Sequence, residues 1–249
     1  MLPDFKVDDE RARNIIRTAL ADGRDQLTTR ESIDVLDAYG VRVCRAGFAA
    51  DEDAAVAVAD RIGYPVVMKM TSKTTSHKTD VGGVRVGIAS EEDLRREYRD
   101  LIGKLEAKGL LEGLEGVLIQ EMVKSKRELV TGIATDPQFG PMVMFGLGGV
   151  FVEVLKDVAF RLAPLTDIDA KDLIHSVKCV KLLEGARGFT PAQMEKVEET
   201  LLRISQLAHV HRFVKELDIN PLMISDKDGE PIAVDARIAF DPEAVKLAL

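Results

Sequence analysis

Glu216-Leu217-Asp218-Ile219-Asn220-Pro221-Leu222 alternates polar and apolar side chains, which is typical of a β-strand with one buried face. In a strand, Asp218 and Asn220 point to the same face. Asp235 follows on the next predicted strand. Oxygen ligands from two adjacent strands suit Mg²⁺, which otherwise keeps its waters and binds nucleotide phosphates. The stretch therefore predicts a sheet that carries a metal site; the alternative is an Asx-turn beside surface carboxylates.

A glycine cluster, Gly146-Leu147-Gly148-Gly149, lies further toward the N-terminus. Glycines let backbone amides approach phosphate oxygens, although a tight hairpin would also explain the cluster. Arg161 lies on a later predicted strand with apolar neighbours, where a guanidinium beside a phosphate would be a natural use. A structural ion pair with Asp157 or Glu153 is the alternative for Arg161.

Lys69 lies in the apolar run 66–70, where an ammonium is costly unless it meets an anion or water. Lys69 is predicted either to snorkel to the surface or to bind a phosphate. The following loop is rich in hydroxyl and basic groups and ends in Gly82 and Gly83, whose amides could approach phosphate oxygens. It is not a P-loop, because no lysine–hydroxyl pair follows the glycines. A plain hairpin turn is the alternative.

His77 lies inside this loop. Imidazole is a competent nucleophile near neutral pH and can carry a phosphoryl group covalently. Lys78 and the neighbouring hydroxyls would compensate the charge of a phosphohistidine. A solvated loop histidine is the alternative.

Helix and strand signals alternate along the chain, which indicates an α/β or α+β layered protein. Capping residues and apolar periodicity predict helices at residues 8–22, 28–40, 51–62, 90–105 and 190–214. Short apolar runs between turn residues predict strands at 41–43, 66–70, 84–88, 117–123, 129–135, 142–145, 151–154, 159–162, 217–224 and 232–235. A cluster of glycines near residues 109–116 favours a lobe boundary there. The predicted parts are an N-terminal helical extension (1–26) and two lobes (27–113 and 114–249).

Composition excludes several classes of protein. The 249 residues are 46% hydrophobic and 31% charged, which is ordinary for a globular chain with a core. A net charge of −8 and the absence of Trp argue against nucleic-acid binding. Two unpaired cysteines argue against a disulfide scaffold or a cysteine zinc site. No apolar run is long enough to span a membrane and no signal peptide is evident, so we expect a cytoplasmic protein without a membrane partner.

Five motifs occur in an order that resembles a known family. They are Pro65-Val66-Val67-Met68-Lys69, Ser76-His77-Lys78-Thr79-Asp80-Val81-Gly82-Gly83-Val84, Asp136-Pro137-Gln138-Phe139-Gly140-Pro141, Phe145-Gly146-Leu147-Gly148-Gly149 and Leu217-Asp218-Ile219-Asn220-Pro221-Leu222. From about residue 27 to residue 240 the chain resembles the ATP-grasp part of ADP-forming acyl-CoA synthetases. The β chain of succinyl-CoA synthetase is a more distant relative.

The resemblance implies an ATP-grasp fold, in which two α+β lobes enclose a nucleotide. It implies that Lys69 binds phosphate and that Gly148 and Gly149 lie near the phosphates. The resemblance also implies that the strand Gln120-Glu121-Met122 meets adenine through backbone groups. Glu128 would hold the ribose or the adenine edge. Asn220 and Asp235 would bind Mg²⁺. His77 resembles the family's second phosphohistidine, and Asp218 the acid near the metal and that histidine.

The reaction so implied is acyl-CoA + ADP + phosphate giving acid + CoA + ATP, reversibly. The first histidine of the family lies on a CoA-binding α component, which this chain shows no sign of containing. The resemblance therefore implies a β subunit or a cut-out domain that works with an α subunit, as a heterotetramer in this family. Two alternatives stay open: an ATP-grasp carboxylate–amine ligase without a phosphohistidine, and a non-catalytic nucleotide-sensing regulatory module.

Overall fold

The computed structural model describes residues 2–72, 82–149, 157–185 and 190–248. Its elements in the first half are α1 (Asp9–Ala21), α2 (Thr29–Ala38), β1 (Ala46–Ala49), α3 (Glu52–Ile62), β2 (Val66–Ser72), β3 (Val84–Ile88), α4 (Glu91–Ala107) and β4 (Leu114–Glu121). Those in the second half are β5 (Glu128–Asp136), β6 (Gly140–Leu147), β7 (Val158–Leu162), α5 (Asp167–His175), α6 (Val180–Leu183), α7 (Met194–Val210), β8 (Val214–Ile224), β9 (Pro231–Ala233), β10 (Ala236–Phe240) and α8 (Pro242–Ala248). The predicted α+β class is confirmed.

The chain forms two compact units. Residues 44–123 form one, here called the inserted unit, and residues 1–43 together with 124–249 form the other, the main unit. This division differs from the boundaries predicted at 26/27 and 113/114. Helix α1 contributes Ile16 and helix α2 contributes Leu36 to the main-unit core, so α1 is no separate extension and α2 does not belong to the inserted unit. Strand β4 pairs with β1 and β2, which carries the inserted unit past residue 113.

The inserted unit has one antiparallel sheet of order β1-β4-β2-β3. Met68 and Met70 on β2 are fully buried in a core that also receives Leu101 from α4. Helix α3 begins after Asp51, whose side chain accepts a hydrogen bond from the Ala54 amide at 2.8 Å. Helix α4 begins after Ser90 in the same way. Both starts were predicted from the capping residues, which satisfy amides that the first helical turn leaves unpaired.

The main unit has an antiparallel sheet of order β10-β8-β5-β6-β7, with β9 paired to β8. Residues directly opposite each other on neighbouring strands share a face. Ile238, Leu217, Ile133 and Val143 form such a row, and each is at most 2% exposed. Helices α2, α5 and α7 pack on this side. We call it the covered face.

The opposite side, here called the open face, carries two cross-strand rows of a different composition. One row is Arg237, Asp218, Gly132, Met144 and Phe160. The other is Ala239, Glu216, Ala134, Met142 and Leu162. The candidate functional residues of the main unit are therefore held on a sheet whose other side is anchored in the core.

Several predicted elements need correction. The strand expected at 41–43 is only an isolated bridge at Val43, because the Val41 amide closes the end of α2 by bonding to the Leu36 carbonyl at 3.0 Å. The long helix α7 begins at Met194 and not at Thr190, since the Ala192 and Gln193 amides bond to carbonyls outside the helix. Helices α5, α6 and α8 were not predicted. The strand predicted at 151–154 lies outside the described residues.

Candidate functional site

Asp218, Asn220 and Asp235 meet at one place in the main unit. The Asn220 amide donates to the Asp235 carbonyl at 3.3 Å, next to the β8–β10 pairing. Asp235 lies in the short connection between β9 and β10, not on a strand as predicted. The Val234 amide also donates to the Pro221 carbonyl, at 3.2 Å, so two backbone contacts join this connection to β8. The backbone of Asp235 thus lies beside that of Asn220, two residues from Asp218; their role as metal ligands stays a prediction.

The carboxyl groups of this cluster repel one another. Burial raises the pKa of Asp218, and the charges of Glu216 and Asp235 raise that pKa further, while Arg237 opposes them. Glu216 and Asp218 share the open face of β8. Carboxylates that repel each other in a half-buried position are stabilised when a cation joins them.

A β-bulge lies at the same place. Between Leu129 and Thr131 on β5, the pairing on β8 moves by three residues, from Leu222 to Ile219. Buried side chains therefore fall at Leu217 and Ile219 before the bulge and at Leu222 and Ile224 after it. Bulges redirect side chains and occur often beside active sites. Asn220 lies at the bulge, where the alternation of buried and exposed side chains along β8 shifts by one residue.

Gly132 is a functional position that the sequence analysis missed. It lies directly opposite Asp218, and a Cβ built on it would overlap the Leu217 carbonyl oxygen. Only glycine lets β5 and β8 approach so closely beneath the Asp218 side chain. The available signal was a glycine inside a predicted strand, which usually marks such a close approach.

Glu128 and the second glycine cluster form one substructure. The Gly148 amide donates to the Glu128 carbonyl at 2.8 Å. Gly149 has a φ of +66° and lies so near the Glu128 carboxylate that any Cβ would collide with it. The positive φ favours glycine at this position, and a Cβ would force the end of the flexible Glu128 side chain to move. Glu128, Gly148 and Gly149 therefore lie together, and their nucleotide-binding roles stay predictions.

Arg161 lies on the other side of the sheet. It stands opposite Val143, in the row that continues through Ile133 to Leu217 on the covered face. Its guanidinium donates to the Phe160 carbonyl at 2.9 Å and to Ser176 Oγ at 2.8 Å. The structure thus does not support Arg161 as a phosphate ligand beside Asp218. Of the two carboxylates predicted as alternative partners, Asp157 accepts from the Lys178 and Cys179 amides, and Glu153 lies outside the described residues.

In the inserted unit, Lys69 and Gln120 share a face. Lys69 stands opposite Leu118 on β4, two residues from Gln120, on the side of the sheet away from Met68 and Met70. Lys69 is only 8% exposed, so the snorkelling interpretation does not hold. The Gly83 carbonyl accepts from the Met70 amide at 2.8 Å, which places the predicted glycine pair directly beside Lys69. His77 lies outside the described residues.

Two arginines make contacts near Lys69 and the end of β4. Arg85 donates to the Gly82 carbonyl and pairs with Glu97 at 3.0 Å, so it holds the glycine pair at the start of β3. The Glu121 carboxylate pairs with Arg45 at 2.7 Å.

The Glu121 amide donates to the Arg45 carbonyl at 2.9 Å and the Met122 amide to the Pro65 carbonyl at 3.3 Å. The amides of Glu121 and Met122 are thus already hydrogen-bonded. An adenine base at residues 120–122 would therefore bind to carbonyl groups or would replace the long hydrogen bond of the Met122 amide.

The donor set fits Mg²⁺ that is shared with a nucleotide. Among the described residues, no group of three His, Cys, Asp or Glu side chains is arranged to hold a metal alone. Two carboxylates and an amide oxygen, from Asp218, Asp235 and Asn220, match the few protein ligands that Mg²⁺ takes when phosphates complete its shell.

No helix in the described part of the chain has the length and apolar content needed to cross a membrane.

Comparison with known proteins decides between the families that could use such a site. The ATP-grasp domain profile matches residues 18–240. The acetate–CoA ligase [ADP-forming] I subunit beta of Pyrococcus furiosus is 41% identical over 92% of this chain and 97% of its own length. The chain belongs to the ATP-grasp family of ADP-forming acetate–CoA ligases. The expected resemblance and fold are thereby confirmed, and so is the more distant similarity to succinate–CoA ligase β subunits.

Relatives in this family occur as separate subunits and as longer chains. The acetate–CoA ligase [ADP-forming] I of Archaeoglobus fulgidus is 42% identical over 96% of this chain, which spans only 34% of that relative's length. Acetyl-coenzyme A synthetase 1 of Ca. Korarchaeum cryptofilum, solved with coenzyme A, Ca-AMPCP and HgCl⁺, superposes with a TM-score of 0.87 at 40% identity, covering 92% of this chain and 100% of that one. The same synthetase with coenzyme A and Mg-AMPPCP, its phosphohistidine segment pointing towards the nucleotide binding site, has a TM-score of 0.80 at 38% identity and the same coverage.

Proposed function

We propose that this chain is the nucleotide-binding β component of an ADP-forming acyl-CoA synthetase. It would interconvert acyl-CoA + ADP + phosphate and acid + CoA + ATP together with a CoA-binding α component, as a cytoplasmic heterotetramer. The observation that carries the proposal is the convergence of Asp218, Asn220 and Asp235 on a sheet that also positions Glu128 and Gly149. Relatives that are 97% covered and named as β subunits of such ligases support it.

The nucleotide-binding roles that the family resemblance implies fall on residues of both units, and each unit is taken by itself. In the inserted unit, Lys69 would meet the phosphates beside Gly82 and Gly83, and residues 120–122 would meet the adenine. In the main unit, Glu128 would hold the ribose or the adenine edge, with Gly148 and Gly149 near the phosphates. The Korarchaeum relative was solved with Mg-AMPPCP, which supports the binding of a magnesium nucleotide but not the role of any one residue.

Asn220 and Asp235 would hold the metal, with Asp218 beside them. When bound, Mg²⁺ neutralises charge on the phosphates and so stabilises the transferring phosphoryl group. The contribution of this chain would be the fixed position of these residues; the backbone contact between Asn220 and Asp235 and the bulge on β8 support this role.

His77 would accept the phosphoryl group. The lone pair of a neutral imidazole nitrogen forms the N–P bond as the bond from phosphorus to the bridging oxygen of ATP breaks, and ADP leaves with that electron pair. Asp218 would have the role of the family's acid near the metal and the phosphohistidine, as the resemblance implies. A histidine carrier can move phosphate across a gap that direct in-line transfer cannot bridge.

Substitution of His77 tests the proposal. The chain, purified with its CoA-binding component, is incubated with γ-labelled ATP and Mg²⁺, and acid-labile, base-stable phosphate on the chain is measured. His77→Asn is expected to lose this label and acyl-CoA synthesis while ADP affinity stays within about twofold, because the imidazole contributes to transfer and not to ground-state binding. His175→Asn, at an exposed position on α5, is the matched control and should keep both.

Two results would refute the proposal in different ways. Acid-dependent ATP hydrolysis that continues in His77→Asn would indicate a carboxylate–amine ligase, whose acyl phosphate needs no histidine carrier. Nucleotide binding by the wild-type chain without any phosphoryl transfer in the presence of the CoA-binding component would indicate a regulatory module.

A further inference from the structure

Arg237 on β10 lies on the open face, beside the residues that the resemblance assigns to the metal. It is exposed, and it stands directly opposite Asp218 on the neighbouring strand β8. It also follows Asp235 by two residues along the chain. Residues directly opposite each other on antiparallel strands have Cβ atoms about 5 Å apart. The long side chain of Arg237 is therefore within reach of a group that binds beside Asp218.

The two rows of the open face contain one cation, which is Arg237. Their acidic members are Glu216 and Asp218, and every other member of these described rows is glycine, alanine or a large apolar residue. Arg161, the arginine that the sequence analysis assigned to phosphate, lies on the covered face. An anion that binds over these rows therefore meets a single guanidinium, that of Arg237.

The Arg237 guanidinium is held by a neutral side chain. Its Nη2 donates to Oε1 of Gln26 at 3.2 Å. Gln26 pairs with Ala239 in an isolated bridge, so the two residues share the open face. Two backbone hydrogen bonds of 2.9 Å, one on either side of Gln26, fix this residue against the outer edge of β10. The contact uses one nitrogen of a fork that can bind a phosphate group through two.

The alternative role for Arg237 is to neutralise the carboxylates of β8. That role predicts a salt bridge to Asp218 or Glu216, because a charge-assisted pair is stronger than a hydrogen bond to a neutral amide. In the part of the chain that the structure describes, the guanidinium bonds to Gln26 instead. A magnesium nucleotide satisfies both charges, since its cation joins the carboxylates and its phosphate oxygens accept from the guanidinium.

We infer that Arg237 binds the terminal phosphoryl group of ATP and stabilises that group during transfer. The inference rests on the proposed function. The transferred group has to come next to the acid near the phosphohistidine, which is Asp218, and Arg237 stands directly opposite that residue. A transferring phosphoryl group spreads negative charge over three equatorial oxygens, and an arginine of the same chain can stabilise this charge. Gln26 would hold the guanidinium in place for this contact.

Substitution of Arg237 tests the inference in the complex with the CoA-binding component. Arg237→Gln removes the charge and the fork but keeps a polar side chain. Calorimetry measures the Kd for Mg-AMPPCP and for Mg-ADP, rapid quench with γ-labelled ATP measures transfer to His77 in a single turnover, and circular dichroism measures folding. Arg30→Gln is the matched control, because Arg30 is also an exposed arginine but lies on α2, where it pairs with Asp34 at 2.9 Å.

Comparison of the two nucleotides isolates the terminal phosphate. Arg237→Gln is expected to bind Mg-AMPPCP at least about tenfold more weakly, with Mg-ADP affinity within about twofold, because only AMPPCP carries the group that Arg237 binds. Transfer to His77 should slow at least about 100-fold, since arginines that stabilise a transferring phosphoryl group act mainly on the rate. Arg30→Gln should match the wild-type chain in all measurements.

Arg237→Lys separates the charge from the planar fork. Lysine keeps the positive charge but binds as a point charge. Its affinity for Mg-AMPPCP should return to within about threefold of the wild-type value, while transfer stays at least about tenfold slower. If Arg237→Gln does not fold, the transfer rate of Arg237→Lys decides, and a wild-type rate would then overturn the inference.

Three results for the folded Arg237→Gln chain would overturn the inference. The first is equal weakening of Mg-ADP and Mg-AMPPCP, which would show that Arg237 acts through the carboxylates and their metal. The second is an unchanged affinity for Mg-AMPPCP, and the third is an equal loss in Arg30→Gln. Failure of the proposed function gives a different result: the wild-type complex would then bind Mg-AMPPCP without labelling His77, and the nucleotide comparison would still decide whether Arg237 contacts the terminal phosphate.

Discussion

The two faces of the main-unit sheet are built from the same strands but show opposite patterns. On the covered face, the row from Ile238 to Val143 is continuous and apolar, and it is anchored by α2, α5 and α7. On the open face, each row changes from charged groups on β8 to a small residue on β5 and large apolar residues on β6 and β7. The period of two residues in a strand separates the two patterns.

The difference shows how the site is kept rigid. A charged cluster such as Glu216, Asp218 and Asp235 contributes repulsion and not stability. The residues that alternate with it, Leu217 and Ile219, are fully buried and fix the strand. Alternate residues of β8 therefore serve stability and chemistry. Substitutions on the covered face should lower the free energy of unfolding, and substitutions of the charged residues on the open face should change activity.

The largest loss of stability is expected at Gly132, where β5 and β8 approach each other closely and any added side chain disturbs both faces of the sheet. Gly132→Ala places a Cβ against the Leu217 carbonyl, so β5 and β8 have to move apart. We expect a loss of more than about 4 kcal/mol in the free energy of unfolding, the range of the most severe single substitutions. Gly103→Ala in α4, which meets no atom within 4 Å, is the control and should be neutral or stabilising. Urea unfolding checks both, and a stable Gly132→Ala chain would contradict the close approach.

Neighbouring residues on β8 should differ strongly. Leu217→Ala removes buried methyl groups and should cost about 2–5 kcal/mol of the free energy of unfolding. Asp218→Asn should leave that free energy unchanged or raise it, because burial and the neighbouring carboxylates destabilise the ionised Asp218. Phosphoryl transfer should nevertheless be lost in Asp218→Asn. Urea unfolding and the phosphate-labelling assay measure the two properties, and equal destabilisation by both substitutions would disprove the division between faces.

The free energy of unfolding should depend on pH through His211, which lies at the end of α7 among the helices of the main-unit core. His211 is fully buried at the end of α7, with Nε2 2.9 Å from the Asp9 carboxylate of α1. Burial lowers the pKa of His211 below its usual 6.5, and the charge of Asp9 only partly offsets this. The unfolded chain therefore takes up the proton at a higher pH than the folded chain. Stability is fully present above the unfolded pKa and is lost as the pH falls toward the folded pKa.

The expected slope of the free energy of unfolding from this one group is at most about 1.4 kcal/mol per pH unit. Urea unfolding at several pH values between about 7.5 and 5.5 measures it, above the range in which carboxyl groups titrate. His211→Gln should reduce the slope and His175→Gln, at an exposed position, should not. An unchanged slope in His211→Gln would assign the pH dependence to other groups.

The smallest effect is expected for Arg161. Because Arg161 lies on the covered face and donates to Phe160 and Ser176, Arg161→Gln should leave the Kd for Mg-ADP within about twofold of the wild-type value. Lys69→Met, measured in parallel, should weaken binding at least about tenfold by removing a charge-assisted contact to phosphate. Calorimetry with Mg-ADP distinguishes the two, and a tenfold loss in Arg161→Gln would return this residue to the nucleotide site.

Local features of the fold were predictable from sequence, while features set by pairing were not. Thr28, Asp51 and Ser90 each cap the helix that was predicted after them, because capping depends on three or four consecutive residues. The shared face of Asp218 and Asn220 followed from the period of a strand. The rows that join Asp218 to Phe160 depend on register between strands far apart in the chain, which no local pattern contains.

The same limit explains the errors at the candidate site. Arg161 was assigned to the phosphates by its residue type, but strand pairing places it on the covered face. Asp235 was correctly expected beside Asn220, yet in a strand and not in a connection. The assignment of α1 and α2 to the main unit depends on contacts with residues after 124, so the order of elements alone could not show it.

The interrupted chain of the main unit has a consequence for its biosynthesis. Residues 44–123 are contiguous and can complete their core as soon as they leave the ribosome. Helices α1 and α2 are synthesised first, but the strands and helices that bury Ile16 and Leu36 come last. The N-terminal helices therefore stay without their partners until α7 and β10 emerge, and their apolar surface is the part of the nascent chain that most needs protection by chaperones.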